Sequence, residues 1–131
     1  LDFSREGRKE NIRRIGETSK LFADAGFVTI TAVISPFRED RESVRNIFDP
    51  IQFVEIFVDC PIEECERRDI KGHYRRARKG EISNFTGVSS PYESPENPEI
   101  WLKSDRQSVH ECIKIIVDYL NKKKNISSCE P

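Results

Sequence analysis

The segment over residues 67–92 concentrates cationic side chains that could grip an anionic ligand. It reads RRDIKGHYRRARKGEISNFTGVSSPY, and its cations are Arg67, Arg68, Lys71, Arg75, Arg76, Arg78 and Lys79. The planar fork of arginine suits bidentate contact with phosphate or sulfate oxygens. The glycines of the segment permit the turns and the close backbone approach that wrapping a ligand requires. We therefore predict a lid that closes over a phosphate- or sulfate-bearing ligand.

One aromatic side chain gives this segment a second possible contact. Phe85 lies between Asn84 and Thr86, so it has no apolar residue directly beside it. A flat ring in such a loop could stack on a nucleobase. The alternative interpretation is an ordinary solvated face, because a chain rich in arginine and glutamate forms many surface ion pairs that each contribute little. Composition alone does not choose between the two.

Length and charge limit the class of protein. The 131 residues correspond to one domain. The formal net charge of −1 shows that acidic residues balance the basic run. A general nucleic-acid-binding protein usually carries an uncompensated basic surface. We therefore expect no nucleic-acid partner.

The cysteines predict neither a metal site nor a disulfide framework. They are Cys60, Cys65, Cys112 and Cys129, and they form no CxxC pair. Reduced thiols in apolar runs are typical of a cytoplasmic protein. No signal peptide is recognisable, and no apolar stretch is long enough to span a membrane. The expectation is a cytoplasmic protein with no membrane contact.

Hydrophobic periodicity predicts helices that alternate with strands. The predicted elements are a helix over 4–25, a strand over 27–34, a short helix over 38–48, a strand over 53–58, the opening of a helix over 62–68, a strand over 99–102 and a closing helix, with a frayed tail from 121. Ser4, and the pair Ser104 and Gln107, have the types and spacing of helix N-terminal caps. The first two strands are almost continuously apolar, which predicts burial on both faces of a parallel sheet. This order indicates an α/β fold.

Several long motifs are similar to those of one enzyme family. They are FSREGRKENIRRIGETSKLFADAG at the first helix, ISPFREDR after the first strand, FVEIFVDCPIEECERRDIKGHYRRARKGEISNFTG, and SPYESPENPEI. From Phe3 to Leu102 the chain resembles the C-terminal two-thirds of an adenylylsulfate kinase, an enzyme that phosphorylates the 3′-hydroxyl of adenosine phosphosulfate with ATP. The resemblance implies a P-loop kinase-like parallel sheet with flanking helices, in a partial domain over 1–122 followed by a tail over 123–131. It also implies a homodimer.

The resemblance assigns residues to two nucleotide sites. Those that would contact adenosine phosphosulfate are Phe3, Arg8, Asn11, Ile34, Ser35, Lys71, Asn84 and Phe85. Those that would contact ATP are Arg68, Gln107 and Cys112. Ser35 also matches a position that some family members use as a catalytic phosphoserine. Structural alternatives stay open, since Ser35 could simply end a strand before a proline, Gln107 could cap a helix, and Cys112 could lie on an apolar helix face.

These residues lack the family's phosphate-binding loop. Its pattern is G-x-x-x-x-G-K-[ST], whose amides and lysine hold ATP and whose hydroxyl holds magnesium, and no such motif occurs in the sequence. The resemblance places it in an N-terminal βαβ unit that would precede Leu1, so ATP and Mg²⁺ would have their main ligands outside this chain. Without that unit, the strands at 27–34 and 53–58 would face a gap or pair differently. We expect residues 1–131 alone to be inactive as a kinase.

Two other functions stay open at this stage. Another small-molecule P-loop kinase could carry a similar lid, although the aromatics Phe3 and Phe85 suit a nucleoside acceptor better. A non-catalytic nucleotide-binding or subunit-interaction module is the alternative from a different class, because the lid and the acceptor residues are present while the phosphate-binding loop is not.

Overall fold

The computed structural model describes residues 4–127, with side chains described as far as residue 123. Its helices are α1 (Arg5–Asp24), α2 (Arg38–Arg45), α3 (Ile62–Arg67), α4 (His73–Arg78) and α5 (Val109–Ser127), and its strands are β1 (Ile56–Asp59) and β2 (Ile100–Lys103). The strands pair in parallel, with Ile56 opposite Ile100 and Asp59 opposite Lys103. The predicted α/β class with parallel strands and flanking helices is therefore confirmed. In the part of the chain described, no helix has the length and apolar character needed to cross a membrane.

α1 begins and ends where its sequence signals lie. The Ser4 hydroxyl accepts a hydrogen bond from the Gly7 amide at 3.0 Å, which caps the helix. Gly26 follows the last turn with a φ of 89°, a left-handed conformation that glycine adopts at little steric cost. Gly16 is buried against α2, where an added β-carbon would lie 2.9 Å from Val44 Cγ1. The missing side chain of Gly16 therefore allows the close approach of α1 and α2.

Aromatic side chains cover part of the sheet. Phe57 of β1 is buried, with its ring stacked 6.0 Å from that of Tyr92 and tilted 5.3 Å from that of Trp101. On β2, Ile100 and Leu102 are buried while the residues between and after them are exposed. This alternation is the pattern of a strand with one covered face.

The apolar segment over 27–34 is not the buried strand that its composition predicts. It belongs to neither a helix nor a strand, and its side chains are exposed, by 85% for Val28, 89% for Ile30 and 60% for Ile34. A continuous apolar run is typical of a strand with neighbours at both edges and layers on both faces. Within residues 4–127 the sheet contains only β1 and β2, so no strand pairs with this segment. At its first residue, the Phe27 ring contacts that of Phe22, with the centroids 6.0 Å apart. The prediction of a buried strand here is wrong.

β1 is also shorter and less buried than predicted. It begins at Ile56 rather than at residue 53, and Ile56 and Val58 are exposed, so one face of the strand is open. Phe53 instead packs its ring 5.5 Å from that of Phe48, which lies in the turn after α2. The open face has the same physical cause as the exposed segment over 27–34, since no described element lies against it.

The cap of α5 differs from the predicted one. The Ser108 amide donates to Glu111 Oε2 at 2.7 Å, and the Glu111 amide donates to Ser108 Oγ at 3.3 Å, which is a reciprocal capping box. The predicted pair, Ser104 and Gln107, has the same spacing, but Gln107 Oε1 accepts from the Lys103 amide in the turn after β2. α5 then continues to Ser127, past the predicted start of the tail.

Candidate functional site

Arg8 of α1 binds the loop that follows α4. Its Nη2 donates to the Asn84 carbonyl oxygen at 2.6 Å, and its Nη1 donates to Thr86 Oγ1 at 3.1 Å. Asn84 has a φ of 54°, a left-handed conformation for which asparagine is several-fold enriched. The contact therefore brings together two predicted acceptor-site residues that lie 76 positions apart in the chain.

Phe85 is half-buried beside this contact. The Tyr74 ring of α4 packs edge-on against it, with the centroids 5.0 Å apart and the planes at 75°. The Phe85 amide donates to Ser89 Oγ at 2.9 Å, which fixes the start of a tight turn. Burial raises the pKa of Tyr74 to about 12, so its phenol stays protonated at neutral pH. Phe85 thus has an apolar partner that its immediate sequence neighbours do not indicate.

Ser35 lies in the loop that leads into α2. Its φ is 37°, in the left-handed region. The next two residues, Pro36 and Phe37, are buried, and the Arg5 guanidinium carbon lies 4.2 Å from the centre of the Phe37 ring. α1 therefore contacts both the loop that carries Ser35 and the loop that carries Asn84.

The cations of the segment over 67–92 are mostly paired with carboxylates. Salt bridges join Arg67 and Arg68 to Glu64, Arg78 to Glu66, and Arg76 to Glu81. Hydrogen bonds from Arg67 and then Arg68 lower the pKa of Glu64 to about 2, so this carboxylate is ionised at neutral pH. Among the residues described, Lys71, Arg75 and Lys79 form no salt bridge with a carboxylate. The segment therefore combines a solvated ion-pair face with three cations that form no salt bridge with a carboxylate of the described residues.

Two predicted ATP-site residues each form a hydrogen bond with the backbone at the turn after β2. Arg68 Nη1 donates to the Ser104 carbonyl oxygen at 3.1 Å, while its Nε donates to Glu64 at 2.5 Å. Gln107 lies in the same turn, where its Oε1 accepts from the Lys103 amide at 2.6 Å. Cys112 is a half-buried free thiol further along, on α5.

The other predicted acceptor-site positions lie apart from these contacts. Asn11 is exposed on α1, Lys71 is exposed in the turn between α3 and α4, and Ile34 is 60% exposed. Phe3 falls outside the described residues. The direct link within the predicted acceptor set is therefore the one between Arg8 and Asn84, among the side chains that the structure describes.

Sequence reasoning missed two residues of this region. Tyr74 lies in the same polar segment as Phe85, so the possibility of an aromatic pair was visible in the sequence. Arg41, within the ISPFREDR motif, donates to the carbonyl oxygens of Ser35 at 2.7 Å and of Glu93 at 2.6 Å. No local pattern predicts the role of Arg41, because the two carbonyl oxygens that it binds lie in separate segments of the chain.

Comparisons of sequence and structure relate the chain to known proteins. A family model described as Adenylylsulphate kinase matches residues 1–103. The chain is 59% identical over 121 residues to the probable adenylyl-sulfate kinase of Halalkalibacterium halodurans, covering 92% of this chain and 60% of that protein. It is 53% identical over 126 residues to the adenylyl-sulfate kinase of Staphylococcus haemolyticus, covering 96% of this chain and 63% of that protein. The chain thus spans about three-fifths of the length of these curated relatives.

The fold agrees with that of a solved relative. The structure of the Mycobacterium tuberculosis APS kinase in complex with AMPPNP and APS matches this one with a TM-score of 0.85 and 42% sequence identity, covering 92% of this chain and 70% of that chain. The expected P-loop kinase-like fold is confirmed by this similarity. Because the family model covers residues 1–103 and the two relatives are 59% and 53% identical, the chain belongs to the adenylylsulphate kinase family.

Proposed function

We propose that the native protein that carries this chain transfers the γ-phosphoryl group of ATP to the 3′-hydroxyl of adenosine phosphosulfate. In this proposal the chain forms most of the acceptor side of the site. The observation that carries it is the hydrogen bond from Arg8 to the Asn84 carbonyl oxygen, which gathers two acceptor positions from distant parts of the sequence. Family membership, and a solved relative that binds AMPPNP and APS, support the same assignment.

Arg8 contributes by ordering the acceptor loop. Its guanidinium holds the Asn84 carbonyl oxygen and the Thr86 hydroxyl, so the backbone on both sides of Phe85 is fixed to α1. Phe85 offers its ring to the adenine base, a contact worth about 1–3 kcal/mol. Lys71 is exposed in the turn before α4 and offers a cation to the phosphosulfate group.

The turn after β2 contributes to the ATP side. Arg68 is anchored there by Ser104 and on α3 by Glu64, which fixes the plane of its guanidinium for contact with a base. Phosphoryl transfer depends mainly on positioning and on electrostatic stabilisation of the phosphates. In-line transfer between two bound nucleotides requires no phosphorylated serine, so we assign Ser35 to the acceptor pocket and not to a covalent step.

The phosphates of ATP require groups that these residues do not offer. No G-x-x-x-x-G-K-[ST] motif occurs in residues 1–131. Within residues 4–127, no three His, Cys, Asp or Glu side chains lie close enough together to hold a metal ion. We therefore derive no step through magnesium and confine the roles of this chain to holding the acceptor and the base of ATP.

Acceptor binding tests this assignment. Calorimetric titration of the native protein is carried out with a non-hydrolysable ATP analogue present. Adenosine phosphosulfate is expected to bind with a higher affinity than adenosine 5′-phosphate. Another small-molecule kinase would bind a different acceptor, whereas a non-catalytic module would bind both nucleotides in this titration and form no product when ATP replaces the analogue. Binding of the ATP analogue with no binding of adenosine phosphosulfate would contradict the proposal. The homodimer expected from the resemblance stays a proposal, which sedimentation equilibrium of the native protein tests.

A further inference from the structure

Ser35 is held in a backbone conformation that its sequence context opposes. Its φ is 37°, and residues other than glycine adopt left-handed values uncommonly. Ser35 also precedes a proline, whose ring pushes the residue before it towards extended backbone. Backbone strain of this kind persists only where surrounding contacts enforce it, and it collects at functional sites. The structure therefore has to contain a group that holds Ser35 in place.

Arg41 is that group. Its Nη1 donates to the Ser35 carbonyl oxygen at 2.7 Å and its Nη2 donates to the Glu93 carbonyl oxygen at 2.6 Å. Its Nε forms an ion pair with Glu55 at 2.9 Å, where the two side chains are only 10% and 17% exposed. Lysine, with a single ammonium group, cannot match this fork. Because Glu55 balances its charge, we do not assign Arg41 to ligand binding. We call it a clamp, because it joins the backbone at Ser35 to the backbone at Glu93.

The clamped segments are also tied to each other directly. The Glu93 amide donates to the Pro36 carbonyl oxygen at 2.8 Å, and the Arg38 amide donates to Glu93 Oε2 at 2.8 Å. Pro36 is fully buried. The loop that carries Ser35 and the chain around Glu93 thus form one rigid unit, with the Arg41 guanidinium bridging them.

We propose that Arg41 is a positioning residue for the acceptor site, which holds Ile34 and Ser35 where the acceptor nucleotide binds. The inference rests on the proposed function, because it is the family resemblance that assigns Ile34 and Ser35 to the acceptor site. Arg41 itself touches no nucleotide. It acts through the Ser35 carbonyl oxygen, whose position decides the direction of the strained turn before α2.

Arg45 provides a matched comparison on the same helix. It pairs with Glu55 at 3.1 Å and with Glu99 at 2.6 Å, so it belongs to the same ion network. Its hydrogen bonds go to those carboxylates and not to the Ser35 loop. A change at Arg45 therefore perturbs the network without releasing the clamp.

Steady-state kinetics of the native protein test the proposal. Arg41→Lys keeps the charge but cannot reach both carbonyl oxygens, so kcat/KM for adenosine phosphosulfate is expected to fall about 10- to 100-fold, the range for a misplacement of about 1 Å. The KM for ATP should stay within about threefold, because the ATP side does not depend on Ser35. Arg45→Lys should leave both KM values within about threefold. An equal rise of the two KM values in Arg41→Lys would overturn the positioning role.

A change at Ser35 separates positioning from general loss of stability. Glycine adopts a left-handed φ without the steric cost, so Ser35→Gly removes much of the need for the clamp. In the Ser35→Gly protein, the factor by which Arg41→Lys lowers kcat/KM for adenosine phosphosulfate is expected to be less than about a third of the factor in the parent. An equal loss in the two backgrounds overturns the proposal.

A second variant covers the case in which Arg41→Lys does not fold. Glu55→Gln removes the charge that anchors Arg41 while keeping the guanidinium, so it should produce a smaller loss that is again selective for adenosine phosphosulfate. An equal effect of Glu55→Gln on both nucleotides would contradict the role of Arg41 as a clamp.

An unsubstituted protein that does not phosphorylate adenosine phosphosulfate would overturn both the proposed function and this inference. An active protein whose acceptor kinetics are insensitive to Arg41→Lys would overturn this inference alone.

Discussion

The Arg8 guanidinium donates to the Asn84 carbonyl oxygen at 2.6 Å and so joins the first helix to the loop after α4. A second bond, to Thr86 Oγ1 at 3.1 Å, places a fixed point on each side of Phe85. The turn hydrogen bond between Phe85 and Ser89 and the Tyr74 ring also hold the loop. The arrangement makes α1 the base of the proposed acceptor site.

Arg8→Lys should weaken the binding of adenosine phosphosulfate by about 10- to 100-fold in the native protein, because a lysine cannot hold both acceptors and a charged hydrogen bond contributes about 1.5–3 kcal/mol. Calorimetric titration measures the change. Arg14→Lys is the control, since Arg14 lies on the same helix, is exposed and pairs with Glu10 at 2.7 Å. Equal acceptor affinity in Arg8→Lys and the parent would remove Arg8 from the site.

Phe85→Ala should weaken the binding of adenosine phosphosulfate by about 1–3 kcal/mol, the range for one lost base–aromatic stack. The affinity for ATP should change less. Phe85→Leu distinguishes stacking from packing, because leucine keeps an apolar contact with Tyr74 but has no flat ring. It should lose nearly as much acceptor affinity as Phe85→Ala while unfolding closer to the parent temperature. A lowered melting temperature with unchanged acceptor affinity would assign Phe85 to packing alone.

Asp40 should reduce stability at neutral pH. The residue is 3% exposed, and neither carboxylate oxygen has a hydrogen-bond partner in the described part of the chain. Burial raises its pKa, an effect that Lys9 and Arg5 offset only in part. Because the folded protein binds this proton more tightly than the unfolded chain, the destabilisation is present above the folded-state pKa and is lost as the pH falls through it.

Asp40→Asn should therefore raise the free energy of unfolding at pH 7, by about 1 kcal/mol. The gain should shrink as the pH falls towards the ordinary aspartate range near about 4. Urea unfolding at a series of pH values measures it. Glu42→Gln is the control, because Glu42 is exposed on the same helix. A gain that does not depend on pH would show that the charge of Asp40 is not the cause.

Gly16→Ala should destabilise the protein even though alanine favours a helix by about 1 kcal/mol. The added β-carbon would meet Val44 at 2.9 Å, and overpacking of this kind costs about 1–3 kcal/mol. Thr18→Ala, at an exposed position of the same helix, is the control and should be neutral or stabilising. Stabilisation by Gly16→Ala in chemical unfolding would mean that α1 and α2 can move apart without loss.

Local signals in the sequence were sufficient for α1 and for the presence of β1 and β2, although β1 begins later than predicted. Ser4 and Gly26 mark the ends of α1 because capping and left-handed turns depend on adjacent residues. The cap of α5 shows the limit of such signals, because two serines with suitable partners lie four residues apart and only the contacts made after β2 select Ser108.

Features that depend on distant partners could not be predicted in the same way. The segment over 27–34 has the composition of a central strand, yet whether such a strand pairs is decided by its neighbours and not by its own residues. The partners of Arg8 and Arg41 lie in separate segments, so no spacing rule connects them. Most of the predicted site residues came from the family resemblance, and spacing alone would not have found them.

Transfer of labelled phosphate tests the central claim most directly. The native protein is incubated with ATP labelled at the γ-phosphate and with adenosine phosphosulfate, and the product is treated with a phosphatase specific for 3′-phosphates. With the native protein, we expect adenosine phosphosulfate to become labelled and the phosphatase to remove that label. Residues 1–131 alone should transfer no label, because phosphoryl transfer needs phosphate-binding groups that their sequence lacks. Absence of label from adenosine phosphosulfate with the native protein, or turnover by residues 1–131 alone, would contradict the account.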